Sequence, residues 1–458
     1  MSKLLFNEYK SVSAKAWKQK IQLDLKGDDY NEALIWNSPE GIDVKPFYHA
    51  DEFKTLPQVS SAKVTSWKIC QTVYVTDEEQ ANTKALDVLS RGANSIKFII
   101  PSEDISIDEL LKDIDLTSTP LYFELQFLSE EFVKQFVSIP IEGKINFNID
   151  IIGNLARTGN WYYNLNRDHE ILNNIIASST KQSTSLLSID VSLYQNAGAN
   201  MVQQLAYGLA HANEYLNHFG EKVVHQINFN ISVGTNYFFE IAKLRALQLL
   251  WKTLASEYSE NVSTCHIYAT PTKRNKTIYD YNTNMLRTTT ECMSAILGGA
   301  HTISNLPYDS VYHKDNEFGE RISRNQLLIL KHESYFNKVN NPADGSYYIE
   351  SLTQQMAEKA LALFKNIEAN GGFLKQLKEG IIQRKIKESG IKEQKLFNNN
   401  EEILLGTNKH PNTTDKMKHD LELYPFVKTK VRKTLIEPII EKRLAETLEQ
   451  KRLKTEKT

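Results

Sequence analysis

From about residue 68, eight short runs of β-branched and aromatic residues alternate with longer segments of helical period. The runs are Trp67–Val75, Ser95–Ile100, Leu121–Phe127, Lys144–Asp150, Leu186–Val191, Val224–Ile231, Thr264–Ala269 and His301–Leu306. This alternation leaves few folds open. Strands separated by helical crossovers pair in parallel and are covered on their faces by those helices. Eight units in strict alternation predict a closed (β/α)8 TIM barrel, in the α/β class. The span Trp67–Phe336, about 270 residues, is close to the ~250 that this architecture needs.

The helical period predicts helices over Asp77–Arg91, Ser106–Asp113, Ser129–Phe136, Asp168–Ser178, Asn200–His218, Asn236–Glu257, Asn282–Leu297 and Asn316–Phe336. Thr76 with Glu79 resembles a capping box, and Gly298-Gly299 closes the seventh helix. Residues 1–60 read as an arm with two short helices at most, 61–345 as the barrel and 346–458 as a C-terminal helical extension. In that extension Tyr347–Asn366 and Phe373–Lys392 are helical, and Phe397–Lys416 is a linker or surface crossing. Pro438–Lys457 is expected to be a helix on a solvated face.

A chain of 458 residues with 41% hydrophobic and 24% charged residues can bury a large core. A formal net charge of −2 provides no basic field for nucleic acid or anionic membrane. The N-terminal stretch lacks the apolar segment of a secretory signal, and no run approaches the ~18 residues of a membrane span. Cys70, Cys265 and Cys292 are far apart and form no CxxC pair. A reduced, cytoplasmic setting is therefore expected.

Chemistry is sparse. There is no GxGxxG, GxxxxGKS/T, HExxH or GxSxG. His225, His266 and His301 fall on expected strands, where a hydrogen-bonded core role is the simpler reading. His211, Glu214 and His218 share a helix face at i, i+3, i+7, a metal-like spacing more simply read as surface. Gly234-Thr-Asn could offer N–H groups to a phosphate, though barrel turns of this kind are common. Arg157, in Arg157-Thr-Gly-Asn-Trp161 after the fourth strand, could hold an anion or anchor a protein partner. Glu317 with Arg321 reads as a helix-stabilising i, i+4 pair. The residues alone thus describe a barrel with a poorly equipped mouth.

Longer phrases carry a resemblance. PEGIDVKPFYHADE (39–52), ARTGNWYYNL (156–165), YQNAGANMVQQLAYGLAHANEYL (194–216), NISVGTNYFFEIAKLRALQLLW (230–251), NMLRTTTECMSAILGGAHTISNLPYD (284–309) and the run from Gly319 to Leu361 occur in one order. Together they resemble the acyl-CoA barrel of the methylmalonyl-CoA mutase family, over about Trp36–Lys359. They are most similar to its small-subunit type. The resemblance implies a heterodimer with a large subunit that interconverts (R)-methylmalonyl-CoA and succinyl-CoA by radical rearrangement.

Departures from the family pattern shape what is implied for this chain. The catalytic chain's histidine, two residues before the Gln of Q-x-A-G-A, corresponds to Leu193, with Gln195 as that Gln. Its tyrosine falls near Thr72 or Val73, and its seventh-strand Thr-His-Ser-Gln corresponds to Ile267–Thr270. Leu193 cannot exchange a proton or hydrogen-bond a thioester. No Asp-x-His-x-x-Gly cobalt-binding motif occurs, so no corrinoid domain is expected on this chain. The expectation is that adenosylcobalamin and the acyl-CoA sit on the partner. This chain is expected to have no catalytic, cofactor-binding or metal residues and to stabilise the large subunit. The alternative is a barrel with its own CoA site, served by a separate cobalamin-binding subunit. Small polar residues along the lumen would mark that alternative; Leu193 and Tyr268 point instead to a filled barrel.

Overall fold

The computed structural model describes residues 8–55, 64–138, 143–178, 184–262, 264–428 and 430–456. The expected reading of the extreme N-terminal residues 1–7 falls outside them. The arm contains α1 (Ala14–Asp24), α2 (Tyr30–Leu34) and a two-stranded ribbon, β1 (Trp36–Asn37) with β2 (Asp43–Val44). It packs through aromatic edges, Trp36 on Phe239 and Tyr48 on Tyr348.

Eight parallel strands then close a barrel in the order β10-β3-β4-β5-β6-β7-β8-β9. They are β3 (Lys68–Tyr74), β4 (Ser95–Ile100), β5 (Leu121–Leu125), β6 (Ile145–Ile149), β7 (Thr184–Asp190), β8 (Ile227–Val233), β9 (His266–Pro271) and β10 (Thr302–Ile303). The eight expected strands are all present, with shifted ends. Val224 and His225 precede β8 in a turn, and β10 keeps two residues of the six expected. Those two suffice to close the ring, pairing Thr302 with Lys68 on one side and Tyr268 on the other.

Each strand alternates. Ile96, Phe98 and Ile100 point outward into the apolar core, as do Leu121, Phe123 and Leu125. Phe98 stacks on Phe123, and Phe123 and Phe147 meet Phe136 of the helix after β5. Burial of each such ring contributes about 2–3 kcal/mol.

The helices around the barrel are α3 (Glu78–Ser90), α4 (Ile107–Leu111), α5 (Glu130–Ser138), α6 (Ile151–Thr158), α7 (Leu165–Ser178), α8 (Ser192–Asn196), α9 (Met201–Phe219), α10 (Tyr237–Ala255), α11 (Thr283–Leu297) and α12 (Glu317–His332). Asp77, one residue after the expected Thr76, caps α3 by accepting from Gln80 N at 2.9 Å. Gly298 closes α11, with Gly299 at φ 91°. Three helices follow: α13 (Tyr347–Ala369), α14 (Phe373–Lys378) and α15 (Ile381–Asn398). α13 lies on α9 and α10, forming a second layer outside the barrel.

The last stretch departs from expectation. Helix α16 spans only Glu446–Thr455. Before it, residues 432–445 run without helix or strand over the βα loops. The amides of Leu435, Ile436, Ile439, Lys442 and Leu444 donate to the carbonyls of Gly159, Gly159, Ala156, Asn196 and Arg274. Backbone N–H groups committed to the barrel cannot also close helical turns. This segment is called the strap below.

One crossing requires glycine at position 198. Gly198, at φ 105°, would bring a Cβ to 2.7 Å from the Cα of Gly390 in α15. The Gln195-Asn-Ala-Gly-Ala199 turn therefore accepts α15 at backbone contact.

Candidate functional site at the barrel mouth

The inward side chains build the site from below. At the base, Tyr122 Oη lies 2.8 Å from His266 Nε2 and 2.7 Å from Thr302 Oγ1. The Tyr122 and Tyr268 rings are 4.9 Å apart and enclose Cys70, whose thiol burial pushes up to about 11. Burial, the neighbouring His301 and Lys144 hold His266 well below its usual range, so it stays neutral. His301 Nδ1 accepts from Ile267 N at 3.1 Å. The core role expected for these two histidines is what the structure shows; His225 is exposed and off the strand.

Beside and above the tyrosines the lumen is polar. Asn228 donates to Asn146 at 3.1 Å, and Thr72 pairs with Ser304 at 3.1 Å. Asn148 Nδ2, Ser188 Oγ and Asn230 Oδ1, from three adjacent strands, are buried without a protein partner. Tyr268 fills the lumen as expected, but most of the lining is small and polar.

At the mouth, Lys97 Nζ meets Glu124 at 2.5 Å and covers the Tyr268 ring. Lys97, helped by the more distant Arg157 and Lys273, outweighs the opposing effect of burial and holds the Glu124 carboxyl below its usual range. Arg157 lies in the last turn of α6, not in a loop. It pairs with Asp190 at the end of β7 and with Glu441 of the strap at 3.2 Å. Asn196 joins the parts. Its Nδ2 donates to Glu441 at 2.9 Å, while its Oδ1 accepts from Thr272 Oγ1 and Lys273 N. Burial raises the Glu441 carboxyl, but Lys273 and Arg157 outweigh it and keep Glu441 charged. The mouth thus holds three ion pairs, Lys97–Glu124, Arg157–Asp190 and Arg157–Glu441, with exposed Lys273 acting on Glu124 and Glu441 at longer range.

Short helix α8 sends four consecutive side chains to four structural duties. Leu193 is 1% exposed, inside the main apolar cluster. Tyr194 Oη lies 2.9 Å from His211 Nδ1, and His211 Nε2 lies 2.9 Å from Asp150. Gln195 accepts from Lys243 at 3.2 Å, beside the buried Glu240–Lys243 pair at 2.6 Å. Asn196 binds the strap.

Several expectations change here. His211 is fully buried, not at the surface, because Phe373 of α14 stacks flat on it at 5.2 Å. Glu214 accepts from Leu374 N, and His218 is exposed, so the three do not converge on a metal. Among the described residues no group of three or more His, Cys, Asp or Glu could hold a metal ion. Gly234 N donates to Glu240 at 2.7 Å, which supports the structural reading of that turn. Glu317 faces Arg91 at 3.8 Å rather than Arg321, which stacks on Phe318.

The Lys97–Glu124 pair, Asn196 and Glu441 were not anticipated. A lone Lys in Ser95–Ile100 and a lone Glu in Leu121–Leu125, each on the inward phase of an otherwise apolar strand, were the available signal. No helix among the described residues is long and apolar enough to cross a membrane.

A family model described as Methylmalonyl-CoA mutase matches residues 114–455. The methylmalonyl-CoA mutase small subunit of Porphyromonas gingivalis is 34% identical over 449 residues, covering 90% of this chain and 72% of that protein. The small subunit of Streptomyces virginiae is 26% identical, covering 86% of this chain and 68% of that one. The methylmalonyl-CoA mutase of Rhizobium meliloti is 29% identical over 83% of this chain, which spans 61% of the Rhizobium protein. On the barrel, the ordered motifs and these matches, the chain belongs to the methylmalonyl-CoA mutase family.

Proposed function

We propose that this chain is the non-catalytic small subunit of a heterodimeric methylmalonyl-CoA mutase. It works in the cytoplasm and stabilises a large subunit that interconverts (R)-methylmalonyl-CoA and succinyl-CoA. The observation that carries this reading is the mouth itself. Arg157, the anion-binding candidate, is neutralised by Asp190 and Glu441. The position of the catalytic imidazole holds Leu193, buried in the core. A reaction centre needs groups free to contact the acyl moiety, and these side chains are spent on one another. The chain reads as arm (1–60), barrel (61–345) and C-terminal extension (346–458), with no catalytic, cofactor or metal residue of its own.

The family uses adenosylcobalamin, which supplies radical initiation where it is bound. The residues at this mouth do not fit it: six charged side chains and Asn196, with no imidazole among them. The cofactor is assigned to the large subunit. Co-expression with a candidate large subunit, followed by gel filtration and mutase assays with added adenosylcobalamin, tests the reading. A stable complex with activity, and an inactive isolated small chain, are expected. Turnover by the isolated chain rejects it.

One observation favours the second reading, an acyl-CoA site in this barrel with a separate cobalamin-binding subunit. Buried Asn148, Ser188 and Asn230 lack protein partners in a polar lumen. Equilibrium dialysis of the isolated chain against an acyl-CoA separates the two. Saturable binding that is lost on Ser188→Leu supports the second reading.

A further inference from the structure

One buried cation outside the mouth makes no ion pair within 4 Å among the described residues, although Asp87 and Glu320 act on it at longer range. Arg324, on α12, is only 5% exposed. Its Nε is buried without a hydrogen-bond partner, and no ion pair reaches the guanidinium among the described residues. A guanidinium carries five N–H donors, and leaving even the buried Nε–H unmet is costly. Burial lowers its proton affinity, but an arginine stays charged.

Arg324 lines a pocket of about 220 Å³ between α3 and α12. The other cations on its wall are already committed. Lys84 binds Glu320 at 2.5 Å; Arg91 binds Asp87 at 2.9 Å and faces Glu317 at 3.8 Å. Asn316 caps α12 through Gly319 N and donates to Asp309. The remaining wall is Val88 and, at the rim, exposed Asp315. The pocket therefore presents, at its side, a guanidinium whose buried Nε is unpartnered and which feels Asp87 and Glu320 only at longer range, together with an apolar patch and a negatively charged rim.

We propose that this pocket binds a small monocarboxylate. A carboxylate matches the planar guanidinium fork in a bidentate pair. The volume suits a ligand of a few carbons, below the usual range for larger molecules. The surplus carboxylates at the rim repel a dianion, so inorganic phosphate is disfavoured. The site shares no residue with the barrel mouth and does not depend on the function proposed above.

Saturation-transfer NMR on the full chain with acetate as the probe tests it, at ionic strength matched with chloride. A saturable acetate signal is expected, unaffected by equimolar inorganic phosphate. Arg324→Gln should weaken it about tenfold or more. Val88→Leu, which narrows the pocket without altering charge, should weaken it too and serves if Arg324→Gln does not fold. An absent or non-saturable signal overturns the proposal. So does full displacement by phosphate, equal binding by a folded Arg324→Gln chain, or acetate binding only after a partner protein is added.

Discussion

Glu441 Oε2 lies 3.2 Å from Arg157 Nη1, joining residues 284 positions apart in sequence. The contact fixes the strap over the barrel mouth and removes the net charge of the one arginine there that could have met an anion. Both side chains retain solvent contact, so the pair is screened and its direct worth is about 1 kcal/mol or less. Glu441→Gln should accordingly lower the denaturation midpoint slightly. It should markedly raise hydrogen exchange at the strap amides of residues 435–444. Unchanged exchange there would show that the backbone hydrogen bonds alone hold the strap.

Restoring the family's imidazole should not restore chemistry. Leu193 belongs to a packed apolar cluster, and an unpartnered histidine there costs about 2 kcal/mol or more. Leu193→His is expected to destabilise the chain and to leave it without mutase turnover in assays with adenosylcobalamin.

Lys243 and Glu240 are 1% and 0% exposed. Lys243→Met leaves the carboxylate buried and unpaired, which costs about 3–5 kcal/mol. Glu240→Gln added to it keeps an acceptor for Gly234 N and removes the charge. The double variant should therefore be more stable than Lys243→Met alone in urea unfolding.

His313 bridges Asp309 at 3.1 Å and Asp420 at 3.4 Å. Burial lowers its proton affinity, but the two carboxylates outweigh it and raise the imidazole above the ordinary 6.5. A raised folded value stabilises below the unfolded value and is lost as pH rises through the folded one. Wild type should exceed His313→Asn in thermal midpoint near pH 5.5, and the gap should close by about pH 8.5. A gap that widens with pH would contradict the bridge.

The barrel was legible because short strands with an apolar outward phase alternate eight times with segments of helical period. What stayed hidden came from packing between parts remote in sequence. The face of α9 carrying His211 has the spacing of a solvent face, yet α13 and α14 cover it. The helix expected from Pro438 fails because distant carbonyls of Ala156, Gly159, Asn196 and Arg274 claim its amides. Leu193 could be singled out only by resemblance; its residence in the core required the fold. Arg324 lies on an amphipathic helix, and its burial comes only from the packing of α3 beside it.

The strap also dictates an order of events during synthesis. Arg157, Asp190 and Asn196 emerge from the ribosome long before Glu441, so the nascent barrel must wait with its mouth uncovered. Closure adds contacts of very large sequence separation, the kind that slow folding. Until then the mouth lacks Glu441 and the backbone hydrogen bonds of the strap, and it lies open to a chaperone or a protease.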